Sequence, residues 1–359
     1  MTLRVGILGT GHISESHARA ADGAEGVEVT AVYGRGREKA ARLAAPYGAA
    51  AYDDLAAFVA DARVDAVLVG TPPALHREHG LAAIGAGKHV LMEKPLDMTP
   101  ARCDTIIEAA DAAGVRLGVF FQGRTSPEVA WMKRLVDGGE LGRPFLAAAQ
   151  VHWYRPPDYY GGERGRGSWE RDGGGALMSQ AIHTLDLLLW MMGDPEKVYG
   201  SAVTATHDIE VEDTVVATLE FAGGGVATLE ATTAAYPGYP RRLELTGTEG
   251  TVVLENDRVA RCDLRSPPSE PLPREAADET PSASSPKVSD VRGHRRMIED
   301  FATGVRTGGP ILCDGREGRR SIAVVDAIYR SSRAGEPVRL TDLRPPARPR
   351  ACPTDIDRE

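Results

Sequence analysis

Two side chains in the sequence combine a reactive type with a position where ligands bind, and the first is Lys94. It follows a short apolar stretch, 88–92, that is predicted to be a β-strand, and it stands in the run Glu93-Lys94-Pro95. Ligands bind at the carboxyl ends of strands in open α/β sheets, whereas most lysines are solvated surface charges. At such a strand end Lys94 can hold a substrate oxygen, and burial beside a cationic ligand would lower its pKa.

The second is His183, within a stretch predicted to be a helix from Ala176 to Met192. Ser179, His183 and Asp186 are spaced four and then three residues apart, so they form a polar stripe beside an apolar face. Histidine titrates near neutral pH, which suits general acid–base work on a hydroxyl. The alternative is a structural histidine, and Asp186 is then a cap or a packing residue rather than the group that orients the imidazole.

The opening stretch of the chain predicts a site for an anion. A buried strand over 4–8 is followed by the turn Gly9-Thr10-Gly11 and by a helix that begins near His12. Backbone N–H groups in such a turn, with the positive end of the helix dipole, hold a dinucleotide pyrophosphate. Ser14 stands in place of the third glycine of the fingerprint, and an ordinary strand–turn–helix connection is the alternative. The residues predicted to bind the dinucleotide here are Gly9, Thr10, Gly11, His12 and Ile13.

The end of the second predicted strand, 27–32, bears on which dinucleotide is bound. An acid at this position hydrogen-bonds the ribose 2′-hydroxyl and selects NAD, but Gly34, Arg35 and Arg37 follow the strand without a carboxylate. Gly34 leaves room for a 2′-phosphate, and either arginine offers a bidentate partner. The sequence therefore favours NADP over NAD. The alternative is that both arginines are solvated loop charges.

A third loop at the same edge follows the predicted strand 65–70. We assign Thr71, Pro72 and the following His76 to cofactor binding, together with Glu93 and Lys94. His76 and His79 are three residues apart, so they could face a metal together. No third ligand accompanies them in the sequence, and we predict no metal site.

An irregular stretch from Arg155 to Gly175, rich in glycine, arginine and aromatic residues, predicts a lid rather than a flexible connector. Tyr159, Tyr160 and Trp169 could stack on a sugar ring, although Trp169 could instead pack a domain interface. The arginines could meet a carboxylate or a nucleotide diphosphate, and they are Arg155, Arg164, Arg166 and Arg171. The residues predicted to bind substrate are Lys94, Tyr154, Arg155, Arg166, Trp169, Ser179 and His183.

Composition excludes several classes of protein. The 359 residues carry a net charge of −9, and Lys and Arg are scattered, so no basic surface for nucleic acid is indicated. No apolar run is long enough to span a bilayer, and no signal peptide is recognisable. The four cysteines are far apart and lack CxxC spacing, which predicts neither disulfides nor zinc and favours a reducing cytoplasm.

Alternating strands and helices over residues 1–122 predict a parallel, doubly wound α/β sheet. A second domain, 123–343, is predicted to hold a run of β-branched strands, then a Pro- and Ser-rich loop over 266–289 and two helices. Residues 344–359 form a polar tail. An open sheet with one bare face usually needs covering, so we predict a homodimer or homotetramer.

The turn Gly9-Thr10-Gly11, the Thr71-Pro72 loop and above all Glu93-Lys94-Pro95 resemble the Gfo/Idh/MocA family of sugar and cyclitol oxidoreductases. The similarity extends over nearly the whole chain, through 139–144, the glycine run 173–175 and 247–250. The resemblance implies an N-terminal Rossmann domain and a C-terminal α+β domain with a large, mostly antiparallel open sheet. It also places the acid–base histidine at His183. Many members carry Asp or Asn where this chain has Ser179, which leaves His183 or Lys94 to carry the proton.

The reaction this implies is reversible hydride transfer between a nicotinamide cofactor and a secondary alcohol or ketone of a sugar, nucleotide sugar or cyclitol. Two alternatives from other classes remain. Some relatives hydrolyse glycosides through transient oxidation by tightly held NAD, and others are non-catalytic regulators that bind the dinucleotide as a signal. Retention of both Lys94 and His183 argues against the regulator. A glycosidase would release sugar from an aryl glycoside without accumulating NADH.

Overall fold

The first sheet of the protein consists of six parallel strands. The computed structural model describes residues 2–161, 166–274 and 290–340. The strands are β1 (Leu3–Leu8), β2 (Val27–Tyr33), β3 (Ala50–Tyr52), β4 (Ala66–Val69), β5 (His89–Met92) and β6 (Leu117–Val119). Their order is β3-β2-β1-β4-β5-β6, and the direction of winding reverses between β1 and β4. A ligand crevice opens at such a reversal. The parallel, doubly wound α/β sheet predicted from the sequence is confirmed.

Five helices connect these strands. They are α1 (His12–Asp22), α2 (Arg37–Ala44), α3 (Leu55–Ala60), α4 (His76–Gly85) and α5 (Pro100–Ala113). All four residues of β4 are buried, as expected for a parallel strand with both faces covered. The chain therefore leaves each central strand at the same edge of the sheet, where the loops carrying the predicted site residues meet.

In the part of the chain that the structure describes, the second sheet has eight strands and is mostly antiparallel. They are β7 (Pro144–His152), β8 (Pro195–Val203), β9 (Thr214–Phe221), β10 (Val226–Thr232), β11 (Arg242–Gly247), β12 (Gly250–Glu255), β13 (Arg258–Leu264) and β14 (Val338–Arg339). The order is β13-β12-β11-β7-β10-β9-β8-β14, and β7 and β10 form the single parallel pair. Burial alternates along β9, so one face of the sheet packs on the core and the other is open. The large open sheet is confirmed.

Five further helices complete the described residues. They are α6 (Pro127–Asp137), α7 (Trp169–Asp172), α8 (Ile182–Met192), α9 (Arg292–Thr307) and α10 (Gly315–Ala334). Helix α9 packs against α1, and α10 packs against both α5 and β8. Arg319 of α10 also forms an ion pair with Asp104 of α5. The last two helices therefore join the two sheets, while the domain boundary at residue 122 stays a prediction.

The sequence predicted most of these helices and strands and missed five. The helices that the sequence predicts at 100–113, 127–137 and 315–334 coincide with α5, α6 and α10. The elements that were not predicted are β3, α3, α7, β13 and β14. The predicted helix from Ala176 begins with a π-helical turn, Leu177–Ala181. Residues 275–289 of the predicted loop and the polar tail lie outside the described residues. None of the described helices is long and apolar enough to cross a membrane.

Candidate active site

A cleft of about 1900 Å³ runs along the carboxyl ends of the strands of the first sheet. It begins at the turn between β1 and α1 and extends to Lys94 and His183, which both line it. Sites for one small molecule usually occupy about 300–1,000 Å³. The cleft is therefore large enough for a dinucleotide and a second ligand together.

The turn after β1 has the geometry of an anion cradle. Gly9 has φ +126°, and a Cβ there would lie 2.5 Å from Ser14 Oγ and 2.9 Å from the Gly70 carbonyl oxygen. The Ser14 hydroxyl donates to that carbonyl at 3.1 Å, so serine allows the close packing that a third glycine would give. A Cβ on Gly11 would meet nothing within 4 Å, and no side chain caps α1. The N–H groups of the first turn of α1 can therefore meet a pyrophosphate.

All five residues predicted for the pyrophosphate line this end of the cleft. They are Gly9, Thr10, Gly11, His12 and Ile13. Their placement fits a dinucleotide, although their contacts with it stay a prediction.

The end of β2 separates the two arginines predicted for the 2′-phosphate. Arg35 lines the cleft, whereas Arg37 Nη1 lies 3.3 Å from Asp53 Oδ1 on the surface and does not line it. Lys39, one turn into α2, lines the cleft and was missed. A Cβ on Gly34 would lie 2.4 Å from Thr10 Cγ2. Gly34 is therefore required for packing against the glycine turn rather than to leave room for a phosphate.

His76 joins two of the loops rather than lining the cleft. Its buried ring lies 2.8 Å from the Pro95 carbonyl oxygen through Nδ1 and 2.8 Å from the Thr71 carbonyl oxygen through Nε2. His79 Nδ1 lies 3.0 Å from Thr71 Oγ1. The structure therefore gives His76 a positioning role, and Thr71 and Pro72 form the surface of the cleft. His76 and His79 therefore make separate contacts and do not face one metal position together.

Glu93 is clamped by two histidines from distant parts of the chain. Its Oε1 lies 3.1 Å from His17 Nε2 and 3.6 Å from His294 Nε2, and its Oε2 accepts from the Lys94 backbone N–H at 2.9 Å. Burial acts to raise the pKa of Glu93, but the hydrogen bond with His17 and the proximity of His294 hold it well below the usual value. Burial lowers the pKa of His17, so an ionised Glu93 faces a neutral imidazole.

The sequence did not predict this cluster, because His17, Glu93 and His294 lie on α1, after β5 and on α9. The three ligand atoms lie within 4.8 Å of one another, close enough to hold one metal ion. The absence of a metal site therefore stays a prediction.

Lys94 is held by the π-helical turn that precedes α8. Its Nζ donates to the Ser179 carbonyl oxygen at 2.8 Å. Burial lowers the pKa of Lys94, Glu93 opposes that effect, and nearby arginines, among them Arg166 and Arg241, lower it further. The Ser179 hydroxyl donates to the Gly175 carbonyl oxygen at 2.6 Å and so is used within its own helix. The main chain of Ser179 therefore makes the contact with Lys94 that an acidic side chain could have made.

His183 lies in the first turn of α8, with its ring edge-on to Phe121 at 6.0 Å between centroids. Burial, followed by the charges of Lys94 and Arg241, lowers the pKa of His183 well below its usual value. The imidazole is therefore neutral at physiological pH and can accept a proton. Lys94 and His183 are thus brought together by the structure as the sequence predicted.

Asp186 does not orient His183 in this structure. Its Oδ1 and Oδ2 accept from Arg124 Nη2 and Nε at 2.7 and 2.8 Å, and both side chains are 1% exposed. The spacing of three residues put Asp186 near His183 in sequence, but the buried side of α8 turns it towards Arg124 and α10. Arg124 also contacts Glu317 of α10 at 3.1 Å. Asp186 therefore belongs to a buried ion-pair network beneath the site.

The predicted lid contributes some of its residues to the cleft. Arg155, Tyr159 and Arg166 line it, whereas Tyr154 packs on Tyr236 outside it. Trp169 also lies outside, because its Nε1 donates to the Glu210 carbonyl oxygen at 3.1 Å and its ring packs on a buried tyrosine of α10. Packing of Trp169 between elements is therefore what the structure shows. Arg164 lies outside the described residues.

Sequence reasoning missed Arg241 and Asp257, which contact each other at the substrate end of the cleft. Burial lowers the pKa of Arg241 to about 10. Asn256 and Asp257 have φ of +48° and +63° and form the two-residue turn between β12 and β13. Asn and Asp are typical of such hairpin turns, so the dipeptide was a usable signal for the hairpin. No comparable signal marked Arg241.

Comparison with known proteins agrees with this geometry. The model described as an oxidoreductase family with an NAD-binding Rossmann fold matches residues 3–121, and the GFO/IDH/MocA C-terminal domain matches residues 129–253. The chain belongs to the Gfo/Idh/MocA family. It is therefore an oxidoreductase with a nicotinamide-dinucleotide domain, as its glycine turn and Glu93-Lys94-Pro95 run indicated.

The names of curated relatives describe enzymes that act on polyols and sugars. Inositol 2-dehydrogenase 3 of Saccharopolyspora erythraea is 33% identical over 71% of this chain and 73% of its own length. The 1,5-anhydro-D-fructose reductase of Ensifer adhaerens is 30% identical over 93% and 97%. Among solved structures, the WlbA dehydrogenase of Bordetella pertussis with NADH and UDP-GlcNAcA is 31% identical, with a TM-score of 0.83 and coverage of 95% and 99%.

Proposed function

We propose that the enzyme interconverts a secondary alcohol and a ketone on a sugar-like substrate, with Lys94 and His183 as its catalytic residues. The observation that carries this proposal is that both side chains line one end of a cleft whose other end is an anion cradle. The named relatives include dehydrogenases and a reductase of inositol and an anhydrosugar. They support the substrate class without identifying the substrate.

The chain supplies proton handling and orientation. A bound nicotinamide ring supplies or accepts the hydride. In the direction of oxidation, the neutral imidazole of His183 takes the proton of the substrate hydroxyl, and in reduction it returns that proton to the oxygen. Lys94, anchored on the Ser179 carbonyl, donates to the same oxygen and stabilises negative charge as it develops. Glu93 holds the backbone N–H of Lys94 and so fixes the end of β5.

The substrate class is tested by a panel assay. The purified protein is mixed with NAD⁺ or NADP⁺ and with cyclitols, free sugars, anhydrosugars or nucleotide sugars, and absorbance at 340 nm is followed. We expect reduced dinucleotide to accumulate with at least one member of the panel. Failure to bind either dinucleotide would overturn the proposal. Release of sugar from an aryl glycoside without accumulation of NADH would favour the glycosidase.

We propose NADP as the preferred dinucleotide because the end of β2 presents Arg35 and Lys39 to the cleft and carries no acid there. A charge-assisted contact with a 2′-phosphate contributes about 1.5–3 kcal/mol. Arg35→Ala should therefore weaken NADPH binding at least about tenfold and change NADH binding little. Arg37→Ala is the matched control, since Arg37 pairs with Asp53 on the surface. Tighter binding of NADH than of NADPH by the wild type would contradict this preference.

We also propose that the open face of the second sheet forms a homodimer or homotetramer interface. Its exposed apolar side chains include Leu146, Tyr199, Val216 and Val226, and contiguous apolar surface of this kind usually marks an interface. Light scattering should show a multiple of the 38.3 kDa chain mass, and a monomer would contradict the proposal.

The three described cysteines are free thiols, which supports our prediction of a reducing cytoplasm.

A further inference from the structure

The substrate end of the cleft gathers positive charge from separate segments of the chain. Arg155 follows β7, Arg166 lies before α7, and Arg241 immediately precedes β11. All three line the cleft and lie close enough to Lys94 for their charges to lower its pKa. The pyrophosphate cradle lies at the other end, at the turn after β1. These arginines therefore need a different occupant from the dinucleotide phosphates.

Aromatic rings hold two of these guanidinium groups in place. Arg166 lies over the ring of Tyr159, 4.4 Å from its centroid. Arg155 lies 5.0 Å from the ring centroid of Trp153 and 5.7 Å from that of Tyr159. Stacking uses the face of the Arg166 guanidinium and leaves its N–H edge for hydrogen bonds, whereas Arg155 already donates to the Tyr154 carbonyl oxygen and to Gln180 Oε1. Arg166 makes no ion pair with any residue in the described part of the chain.

A buried hydrogen-bond donor also indicates a ligand at this end of the cleft, independently of the charges. Trp153 lines the cleft and is 5% exposed, yet its Nε1–H has no hydrogen-bond partner among the described residues. The indole N–H can only donate, and leaving a buried donor unpaired is unfavourable. An oxygen-rich ligand would satisfy this group.

The charges at this end do not balance without a ligand. Lys94, Arg155, Arg166 and Arg241 are cationic. Other described carboxylates line the cleft nearby, but Glu128, Glu255 and Asp290 pair with other arginines and Glu93 is held by His17. Asp172 and Asp257 are left to offset the four cations. Asp257 contacts Arg241, while burial raises the pKa of Asp172. Like charges that share a desolvated site destabilise one another. An anionic ligand would offset the repulsion between these like charges.

We infer that the substrate carries an anionic oxygen group, either the carboxylate of a sugar acid or the diphosphate of a nucleotide sugar, which Arg166, Arg241 and the Trp153 N–H recognise. This inference rests on the proposed function and narrows its substrate class. The relatives' names and bound ligands include neutral polyols and a nucleotide sugar. For this chain the positive end of the cleft favours an anionic substrate over a neutral polyol, because a neutral cyclitol carries no charge to offset the arginines.

The test measures binding to the enzyme saturated with its oxidised dinucleotide, by titration calorimetry. Glucuronate is compared with glucose, and UDP with uridine, so that the two pairs distinguish a carboxylate from a diphosphate. We expect at least one anion to bind about tenfold or more tightly than its neutral partner. Arg166→Gln and Arg241→Gln should each weaken that anion about ten- to hundredfold.

Arg242→Gln is the matched control. It removes the same charge one residue further on, but Arg242 pairs with Glu244 and Glu255 rather than lining the cleft. Equal affinity for both members of each pair, no binding of either anion, or unchanged affinity in both arginine variants would overturn the inference. If the enzyme binds dinucleotide and oxidises a neutral sugar without any preference for anions, this inference is contradicted and the proposed function stands. Failure of the wild type to bind either dinucleotide would instead contradict the proposed function.

Discussion

At the scale of single residues, the reactivity of the site depends on burial and on like charges. The pKa of His183 is lowered by burial and by the nearby Lys94 and Arg241, so the ring is a base at neutral pH. The pKa of Lys94 is lowered for the same reasons. The charge of Lys94 therefore helps to keep His183 neutral, and the carboxylate predicted to orient the imidazole is not needed for that effect.

Replacing Asp186 by Asn tests its structural role. Arg124 would remain buried with its main partner neutralised, so the free energy of unfolding should fall by about 3–5 kcal/mol in denaturant titrations. The acidic limb of the pH profile of kcat/KM should stay where it is in the wild type. Asp326→Asn is a control on the surface of α10, where an exposed pair contributes about 0–1 kcal/mol. A stable Asp186→Asn variant with a shifted pH limb would restore Asp186 as the orienting group.

The residues that sequence analysis could find were those within a local pattern. Lys94 stood at a strand end, and His183 lay on a recognisable helix, so both positions were predicted. Arg241 was missed because its place in the cleft depends on the return of β11 to the centre of the second sheet. Asp186 was misassigned because helical spacing gives the face of a residue but not its partner from another element.

At the scale of elements, the turn between β1 and α1 places the dinucleotide. Gly9 is required by its positive φ and by contact with Ser14, whereas Gly11 faces open space in extended backbone. The two glycines therefore serve different purposes within one turn. The first allows the fold, and the second leaves room for the ligand.

Alanine at each position separates these purposes. Gly9→Ala should lower the melting temperature, because its Cβ would collide with Ser14 and the Gly70 backbone. Gly11→Ala should melt as the wild type does but bind dinucleotide at least about tenfold more weakly, since the methyl group occupies the cradle. Fluorescence titration and thermal melts measure both. Wild-type dinucleotide affinity in Gly11→Ala would rule out the cradle.

Elements with strong periodicity were predictable, and short ones were not. Helices α5, α6 and α10 have 14, 11 and 20 residues, long enough for a helical pattern to show in the sequence. Strands β3 and β14 have three and two residues, too few for a period to show. Strand β13, at the edge of the second sheet, carries Arg258, Arg261 and Asp263, so it lacked the apolar signal of the central strands.

At the scale of the whole molecule, histidines whose pKa is lowered in the folded protein link stability to pH. Burial is the first cause that lowers the pKa of His17, His79, His89 and His183. Below the unfolded-state pKa, about 6.5, the unfolded chain binds protons that these rings in the folded protein do not. Acidification therefore favours unfolding, and stability rises with pH up to that value.

Denaturant unfolding between pH 5 and pH 8 measures this linkage. We expect the free energy of unfolding to decrease as the pH falls below about 6.5, with a slope of up to about 1.4 kcal/mol per pH unit for each neutral imidazole. Above pH 7 the contribution of these histidines should be constant. A stability that is flat or rises on acidification from pH 6.5 to pH 5 would contradict the neutral, buried state of these rings.

The proposed activity depends most directly on Lys94 and His183 acting on a substrate beside a bound dinucleotide. The decisive measurement is turnover at 340 nm by wild type, Lys94→Met and His183→Ala, with dinucleotide affinity measured on the same samples. We expect both variants to bind the dinucleotide within about threefold of wild type, and His183→Ala to lose about 10²–10⁴-fold in kcat. Lys94→Met should fall by about 10²–10³-fold. Wild-type turnover by both variants would contradict the account.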